Sequence, residues 1–453
     1  MLELIKKNWL IALFIVLVCA STSSIYMLNQ GDYSRSILPF STLFHLNMHA
    51  ENYVSHFTMR DHFLSPLRFS YISSHNYVLY IYAFVTSFFS NEFSIAIYSI
   101  IMKALMLVSL YILLLSLSGK FETTYRKQII FIIASIPLLA SSNMALLSSL
   151  YQEQLLLIFL PVLIATIIYD TKASIYSCFF FTAAIATLKS QFFYMPFIMM
   201  VFFIIYSRQY LKLKLSLMLL ALAFGVIAIL YTHGTTNLNS YHSTYYGAYL
   251  SGELSGNKTQ VDVNKPCIGV DAWGNKFDTN KGMVSTNIQD KCFVDSKNAK
   301  FSDAIKYYAS HPVDFLVLPF TESIQPFFGE NYFHMDFSYK LIVNQNNIYG
   351  KITEIKDTIL DKVRFPALVV ILLSSLVIRR NKLSGALFII SALGVSQFYI
   401  SFLGEGYRDL NKHLSGMNIC FDLVLYVGFI KFAYVIAALV NDRRQSGSMG
   451  REA

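Results

Sequence analysis

The stretch Ser94–Ser118 reads SIAIYSIIMKALMLVSLYILLLSLS and holds one charge, Lys103. At about 1.5 Å per helical residue, such a run matches the roughly 30 Å hydrocarbon core of a bilayer. Working outward, further apolar runs lie near 8–28, 129–143, 154–169, 173–188, 192–207, 215–231, 365–378, 384–403 and 414–440, which makes ten spans. In lipid each backbone polar group must find its partner within its own segment, and that selects helix. Composition agrees. The 453 residues are 55% hydrophobic and 14% charged, against about 25% charged in an average soluble domain. Mean hydropathy is +0.48. These figures exclude a soluble globular protein, a disordered chain and a disulfide-framework mini-domain. The predicted fold class is an all-α polytopic membrane protein with about ten transmembrane helices.

Basic residues set the orientation. The short segments 1–7, 119–128, 170–172, 208–214, 379–382 and 441–453 together hold 15 Lys and Arg. The alternating loops are nearly bare: 144–153 has none and 189–191 has Lys189 alone. This positive-inside pattern predicts cytoplasmic termini and accounts for much of the net charge of +9. The first run has no small-residue cleavage site, so it reads as an anchored helix rather than a cleaved signal. Residues 76–90 form a shorter apolar stretch, and a crossing there would invert every later loop. It is expected to lie on, or re-enter from, the outer face.

Three regions follow. Residues 1–231 form an N-terminal transmembrane region with a first outer loop at 29–93. Residues 232–363 form a large outer domain, and 364–453 a C-terminal transmembrane region with a tail. All ten histidines fall on the outer side of this layout. Cys267 and Cys292 share the large outer region and pair as a disulfide if that side is oxidising. His45, His49, His56 and His62 have spacings of 4, 7 and 6 residues, which fit no closed zinc pattern. No metal site is assigned, and no Gly-rich phosphate loop is present.

Polar clusters stand at outer helix ends. Gly31-Asp32-Tyr33-Ser34-Arg35 follows the first span. An acid at the membrane edge can take a proton from a hydroxyl of a lipid-linked substrate. Tyr151-Gln152-Glu153-Gln154 opens a helix, where Glu153 also suits the helix dipole. Lys189-Ser190-Gln191 places a point charge suited to phosphate between two spans. Gly404-Glu405-Gly406-Tyr407-Arg408-Asp409, with Lys412 and His413, is too polar for a simple connector. Arg408 could bind a phosphate oxygen. Lys103 and Asp422 fall at similar depth in two spans running the same way, so a structural ion pair between them is expected.

Six segments fall in one order along the chain. They are Tyr151–Gln154, Lys189–Phe192, Tyr241–Gly247, Cys267–Asp278, Glu330–His334 and Gly404–His413. Together they resemble the prophage-encoded, serotype-specific O-antigen glucosyltransferases of enteric bacteria (the Gtr S type), over nearly the whole chain. The resemblance implies a bacterial inner-membrane enzyme of GT-C-like architecture with its active face in the periplasm. The family takes glucose from undecaprenyl-phosphate glucose, which a companion bactoprenol glucosyltransferase makes and a companion flippase delivers. It adds that glucose to the lipid-linked O-antigen repeat and so changes lipopolysaccharide serotype.

On that reading Asp32 is the expected base, with Glu153 and Glu405 as rivals. Arg35, Lys189 and Arg408 are phosphate candidates. Tyr245, Tyr246 and Trp273 suit stacking on sugar rings, while His242 and Asp271 suit acceptor contacts. Gln191 and His413 complete the expected substrate-binding set. No cofactor is expected, and divalent-metal dependence stays open. No nucleic-acid partner is expected. The rival readings are an O-antigen polymerase or ligase, a lipid-linked sugar transporter, and a non-catalytic scaffold.

Overall fold

A computed structural model describes residues 8–27, 36, 56–59, 72–118, 124–231, 236–257, 263–278, 282–296, 298–330, 342–343, 347–378 and 381–449. Asp32 and Arg35 lie outside the described residues. The chain is an all-α polytopic membrane protein. Among the described residues five helices have the length and apolarity to cross a membrane: Ile95–Ser118, Gln152–Tyr169, Leu211–Leu230, Lys382–Glu405 and Ser415–Ala437. Trp9–Ser21, Lys172–Ala186 and Ser190–Tyr206 are shorter apolar helices.

Each expected apolar run contains helix, but two runs differ in form. The 129–143 run is broken. Helix Thr124–Ser135 gives way to a 3₁₀ turn at Ile136–Leu139 and a short helix at Ser141–Leu146. Pro137 lacks an amide proton and ends the regular ladder there. The 365–378 run is the second half of a longer helix, Ile348–Val377. Its first half carries Lys351, Glu354, Lys356, Asp357, Asp361, Lys362 and Arg364, so one helix joins the large loop region to the bundle.

The 76–90 stretch forms helix Ser74–Ser87. Its 14 residues span about 21 Å, short of a ~30 Å hydrocarbon core. Ser73 caps it by accepting from the His75 amide at 3.2 Å, and its own hydroxyl donates to the Leu188 carbonyl at 2.6 Å.

The core runs along the bundle axis through Leu107, Leu110, Leu160, Ile164, Leu393 and Leu423, all fully buried. The periphery is apolar too. In the Leu211–Leu230 helix only 28% of the span window is buried, and Leu219, Phe224, Ile227 and Leu230 point outward. Such an unbroken apolar face suits lipid rather than water. One end of the bundle gathers Asp170, Ser207, Lys214 and Lys382. Lys214 Nζ reaches Asp170 at 3.4 Å, and Lys382 Nζ donates to the Ile168 carbonyl at 2.6 Å. The other end carries the 236–330 region and the polar loops.

That region is mostly short helices with small two-stranded sheets at its margins. Asn275–Asp278 pairs antiparallel with Gly282–Ser285. Cys267 and Cys292 form the expected disulfide, 25 residues apart. It packs with Tyr241 and Val270 in a small core separate from the main one.

The Lys103–Asp422 pair does not form. Asp422 pairs with Lys356 at 2.6 Å, while Lys103 Nζ donates to the Thr22 carbonyl at 2.8 Å. The depth argument compared charges within apolar spans alone. The partner comes from the polar half of the Ile348–Val377 helix, which that comparison left out.

Candidate functional site

Three polar segments picked from the sequence, Tyr151–Gln154, Lys189–Gln191 and Gly404–His413, meet at the loop end of the bundle; Gly31–Arg35 lies outside the described residues. The Tyr151–Gln154 segment opens as a 3₁₀ turn, Gln152–Leu155, before the Leu156–Tyr169 helix. Its Glu153 is 1% exposed and pairs with Lys189 Nζ at 2.6 Å. Lys189 stands in extended backbone just before the Ser190–Phe192 turn. Gln397, buried in the Lys382–Glu405 helix, donates to the Gln191 carbonyl at 2.9 Å and to Tyr194 Oη at 2.7 Å. Thus three helices are pinned around one carboxylate–ammonium pair. Gln152 and Gln191 are both buried, and neither side-chain Nε2 has a hydrogen-bond partner among the described residues. Orphan buried donors are rare and point to a missing acceptor.

The Gly404–His413 loop forms the second wall. Glu405 ends its helix and accepts from Asn239 Nδ2 at 3.2 Å, and its other oxygen lies 3.1 Å from His413 Nε2. Its side chain is 23% exposed against 1% for Glu153, so Glu405 is the more accessible of the two carboxylates. Arg408 pairs with Asp271 and also lies 3.5 Å from Asp409. Lys412 Nζ stands 4.7 Å from the Tyr151 ring centre, which ties the two walls together by a cation–π contact.

The Tyr241–Gly247 segment is the floor. Thr244–Ala248 is one π-helical turn, a wide turn often found at working sites. His242 is 1% exposed, and its Nε2 accepts from the Ala272 amide at 3.0 Å. That bond assigns the proton to Nδ1, which has no partner among the described residues. Burial pulls the His242 pKa below its ordinary value, with Glu405 and Asp271 opposing the shift. His242 is therefore a neutral buried donor beside Glu405 and Arg408. Burial also pushes the Tyr246 hydroxyl upward, and Asp271 adds to the shift.

The remaining expected site residues divide. Asp271 is fully buried and accepts from the amides of Trp273 at 2.8 Å and Asn275 at 2.9 Å, besides Arg408. It holds its turn and aims Arg408. Tyr245 stacks on Tyr241 with ring centres 5.2 Å apart, as a packing residue of the floor. Trp273 is 61% exposed and presents an open ring. Burial pushes the Tyr407 hydroxyl up to about 12, and that hydroxyl lies 3.0 Å from Ser323 Oγ. Among the described residues no cluster of three His, Cys, Asp or Glu side chains could hold a metal ion.

Sequence reasoning missed a buried charge network. Lys356 Nζ lies 2.6 Å from both Glu330 and Asp422. Arg364 reaches Glu330 at 3.2 Å and Asp357 at 2.7 Å. Ser142 donates to Glu330 at 2.6 Å, and Asn143 to Asp422 at 3.0 Å. Arg364 and Asp422 are fully buried. The sequence signal was the charged face of residues 351–364 running into an apolar span. One of its partners, Asp422, lies 66 residues from Lys356.

The sequence description "YfdI N-terminal transmembrane domain" matches residues 2–451, so it covers bundle and loop region alike. The chain belongs to the YfdI family. It is 36% identical over 425 residues to the uncharacterized protein YfdI of Escherichia coli (strain K12), covering 93% of this chain and 95% of that one. No solved structure matches. The YfdI-family region thus contains every segment of the site, from Tyr151 to His413, in one continuous match.

Proposed function

We propose that the protein is a membrane glucosyltransferase that moves glucose from undecaprenyl-phosphate glucose to the lipid-linked O-antigen repeat, with its site on the periplasmic face of the inner membrane. The observation that carries this reading is the meeting of Glu153–Lys189, Glu405–His413 and Asp271–Arg408 at one end of an apolar bundle. Such a site offers carboxylates for a proton and cations for a phosphate, beside lipid. The resemblance of the same segments to the O-antigen glucosyltransferases supports the substrate class.

The reaction needs three services. A carboxylate takes the proton of an acceptor hydroxyl as that oxygen bonds to the anomeric carbon. The bond from that carbon to the phosphate oxygen breaks, and the lipid phosphate leaves. Cations stabilise the charge that develops on it. Asp32 keeps the role of base in this proposal, with Glu405 as its partly open rival. Glu153 is assigned to holding Lys189. Arg35, Lys189 and Arg408 serve the phosphate, and Trp273 offers a face for a sugar. Donor delivery falls to the companion flippase and bactoprenol glucosyltransferase.

The test is glucose transfer from undecaprenyl-phosphate glucose to lipid-linked O-antigen by purified wild type, D32N and E405Q. Transfer by wild type with loss in D32N alone supports Asp32 as base, and loss in E405Q alone moves the base to Glu405. Absence of transfer by folded wild type rejects the glucosyltransferase reading and advances the polymerase and transporter readings.

A further inference from the structure

We propose that the Pro312–Phe320 segment is a wedge seated in the acyl chains of the bilayer, so that part of the large loop region has lipid as its partner. The inference holds whatever reaction the site performs.

The chain dips here and returns. Before the dip, the Tyr308 ring lies 6.4 Å from that of Phe402, near the loop end of the Lys382–Glu405 helix. At the dip, the Phe315 ring lies 4.9 Å from that of Tyr399, and Tyr399 Oη donates to the Leu316 carbonyl at 3.1 Å. Phe320 then meets Phe365 with ring centres 5.6 Å apart. By Ser323 the chain is back at the loop end, where its hydroxyl lies 3.0 Å from Tyr407 Oη.

Tyr399 and Phe365 measure the depth. At about 1.5 Å per residue, Tyr399 stands roughly 26 Å along its helix from Lys382, and Phe365 roughly 18 Å along its helix from Val377. Lys382 and Val377 flank Arg379 and Arg380 at the end of the bundle away from the loops. Both distances fall inside a hydrocarbon core of about 30 Å, and any tilt of the helices lowers them. Side chains in a helix lean toward its N-terminus, which carries Tyr399 Oη further from the loop end.

The outward surface suits lipid. Val313, Leu316, Val317 and Phe320 are each 46–66% exposed, and Pro312 is the only other exposed residue of the segment. Its one acid, Asp314, is half-buried and accepts from Asn257 Nδ2 at 2.7 Å. The preceding Phe301–Ser310 helix differs, with Ser302, Lys306 and Ser310 exposed beside Ile305 and Ala309. The apolar face continues onto Val363 and Val370, exposed on the helix that bears Phe365. The wedge thus joins the apolar periphery of the bundle, where such a patch meets acyl chains instead of water.

The backbone is prepared for lipid as well. Where no water reaches, carbonyls and amides need protein partners. Pro312 and Pro319 stand in the first turns of the Pro312–Val317 helix and of the Leu318–Phe320 turn, and proline has no amide proton to leave unsatisfied. The Leu316 carbonyl takes its bond from a span residue, Tyr399. The Leu318 carbonyl accepts from the Thr321 amide at 3.1 Å and from its hydroxyl at 2.8 Å.

Tyr308 links the wedge to the site. Its ring lies 4.5 Å from that of Phe315, and its hydroxyl lies 2.8 Å from Ser251 Oγ in the Tyr249–Leu254 helix, which follows the π-helical floor. A wedge held in lipid therefore sets the height of that floor on the bilayer.

The experiment uses the full chain in vesicles of phosphatidylethanolamine and phosphatidylglycerol. Wild type is photolabelled with a phosphatidylcholine that carries a diazirine midway along one acyl chain, and the labelled peptides are mapped. Val313–Phe320 should label within about threefold of Leu219 and Phe224, which face outward on the Leu211–Leu230 helix, and at least about tenfold above Ser302–Ser310. Labelling no higher than at Ser302–Ser310 overturns the proposal. A nitroxide then separates the other occupants. Cys267 and Cys292 are bonded, and Cys19, Cys178 and Cys420 are buried, so an added surface thiol takes the label. The nitroxide at Leu316→Cys should be relaxed more by oxygen, which concentrates in acyl chains, than by a water-soluble nickel chelate. The order should reverse at Lys306→Cys. Nickel relaxation at L316C equal to that at K306C would mean a water-facing segment, and protection from both reagents would mean a protein cover such as a second copy. Either result overturns the lipid assignment. Because wild type carries the photolabelling, a misfolded L316C leaves the test intact.

Discussion

Gly406 and Gly247 touch backbone to backbone. A Cβ on Gly406 would fall 2.5 Å from Gly247 Cα and 2.5 Å from the Tyr246 carbonyl, and Gly406 has φ of +61°. One residue on, the Tyr407 amide donates to that same carbonyl at 3.1 Å. The two glycines let the Glu405–Arg408 turn lie directly on the π-helical floor, which sets where Glu405 and Arg408 stand.

Gly406→Ala should therefore be far worse than Gly247→Ala. A positive φ costs an L-residue about 1–2 kcal/mol, and the clash adds to that. On Gly247 the added Cβ would meet its nearest atom, Gly406 Cα, at 3.0 Å. Thermal unfolding of the detergent-solubilised variants measures both. An equal or inverted order would contradict the close approach.

The buried charge network predicts a contrast between two lysines. Lys356→Met leaves Glu330 and Asp422 buried without their shared cation. Breaking a buried pair in this way costs about 3–5 kcal/mol. Lys103→Met removes a bond to one carbonyl and should cost about 1–3 kcal/mol less. The readout is the melting temperature by fluorescence-detected size exclusion. K103M melting below K356M would show that the network carries little.

Arg408→Lys should keep the fold and lower transfer. The guanidinium is aimed by the Asp271 carboxylate, and a lysine presents a point charge instead of a planar fork. A loss of about 10²-fold in kcat is expected if this group stabilises the departing phosphate. A variant changed in KM alone would place Arg408 in ground-state binding.

Stability should fall as pH drops below about 6.5, the ordinary value for histidine. Burial holds the His242 pKa below that value in the folded chain. Below 6.5 the unfolded chain takes up a proton that folded His242 refuses, so the unfolded state gains. Above about 7 both states are neutral and the effect vanishes. His242→Gln should flatten this limb of a melting temperature against pH curve. An identical curve for wild type and H242Q would rule out this origin.

Reduction of Cys267–Cys292 should loosen the loop region. In the chain-entropy picture a loop of its 25-residue separation contributes about 3 kcal/mol. C267S/C292S should unfold more readily and transfer less, with the apolar bundle retained in circular dichroism. Loss of bundle helicity would instead couple the small core to the whole.

Several site residues were readable in the sequence because polar clusters at span ends are conspicuous against apolar runs. Glu153, Lys189, Glu405 and Arg408 stand out in this way, and the structure gathers them. Their partners were less readable. Asp271 looked like a substrate contact, yet the amides of Trp273 and Asn275 and the Arg408 side chain occupy it. Gln397 sits inside an apolar span, where one amide is easily passed over, yet it joins that span to Gln191 and Tyr194.

The sequence by itself determined that the chain is a helical membrane protein, and where its apolar runs lie. Hydropathy is summed along contiguous residues, so an apolar run is written locally, whereas the break at Pro137 inside the 129–143 run came with the structure. The sequence also marked Cys267 and Cys292 as partners by placing both in one polar region. Only the tertiary structure decided that Asp422 meets Lys356 rather than Lys103, and that Gly247 receives Gly406. Pairing of buried charges depends on distances of a few ångströms between helices distant in sequence. A lysine one helix away is indistinguishable from the right one until the helices are packed.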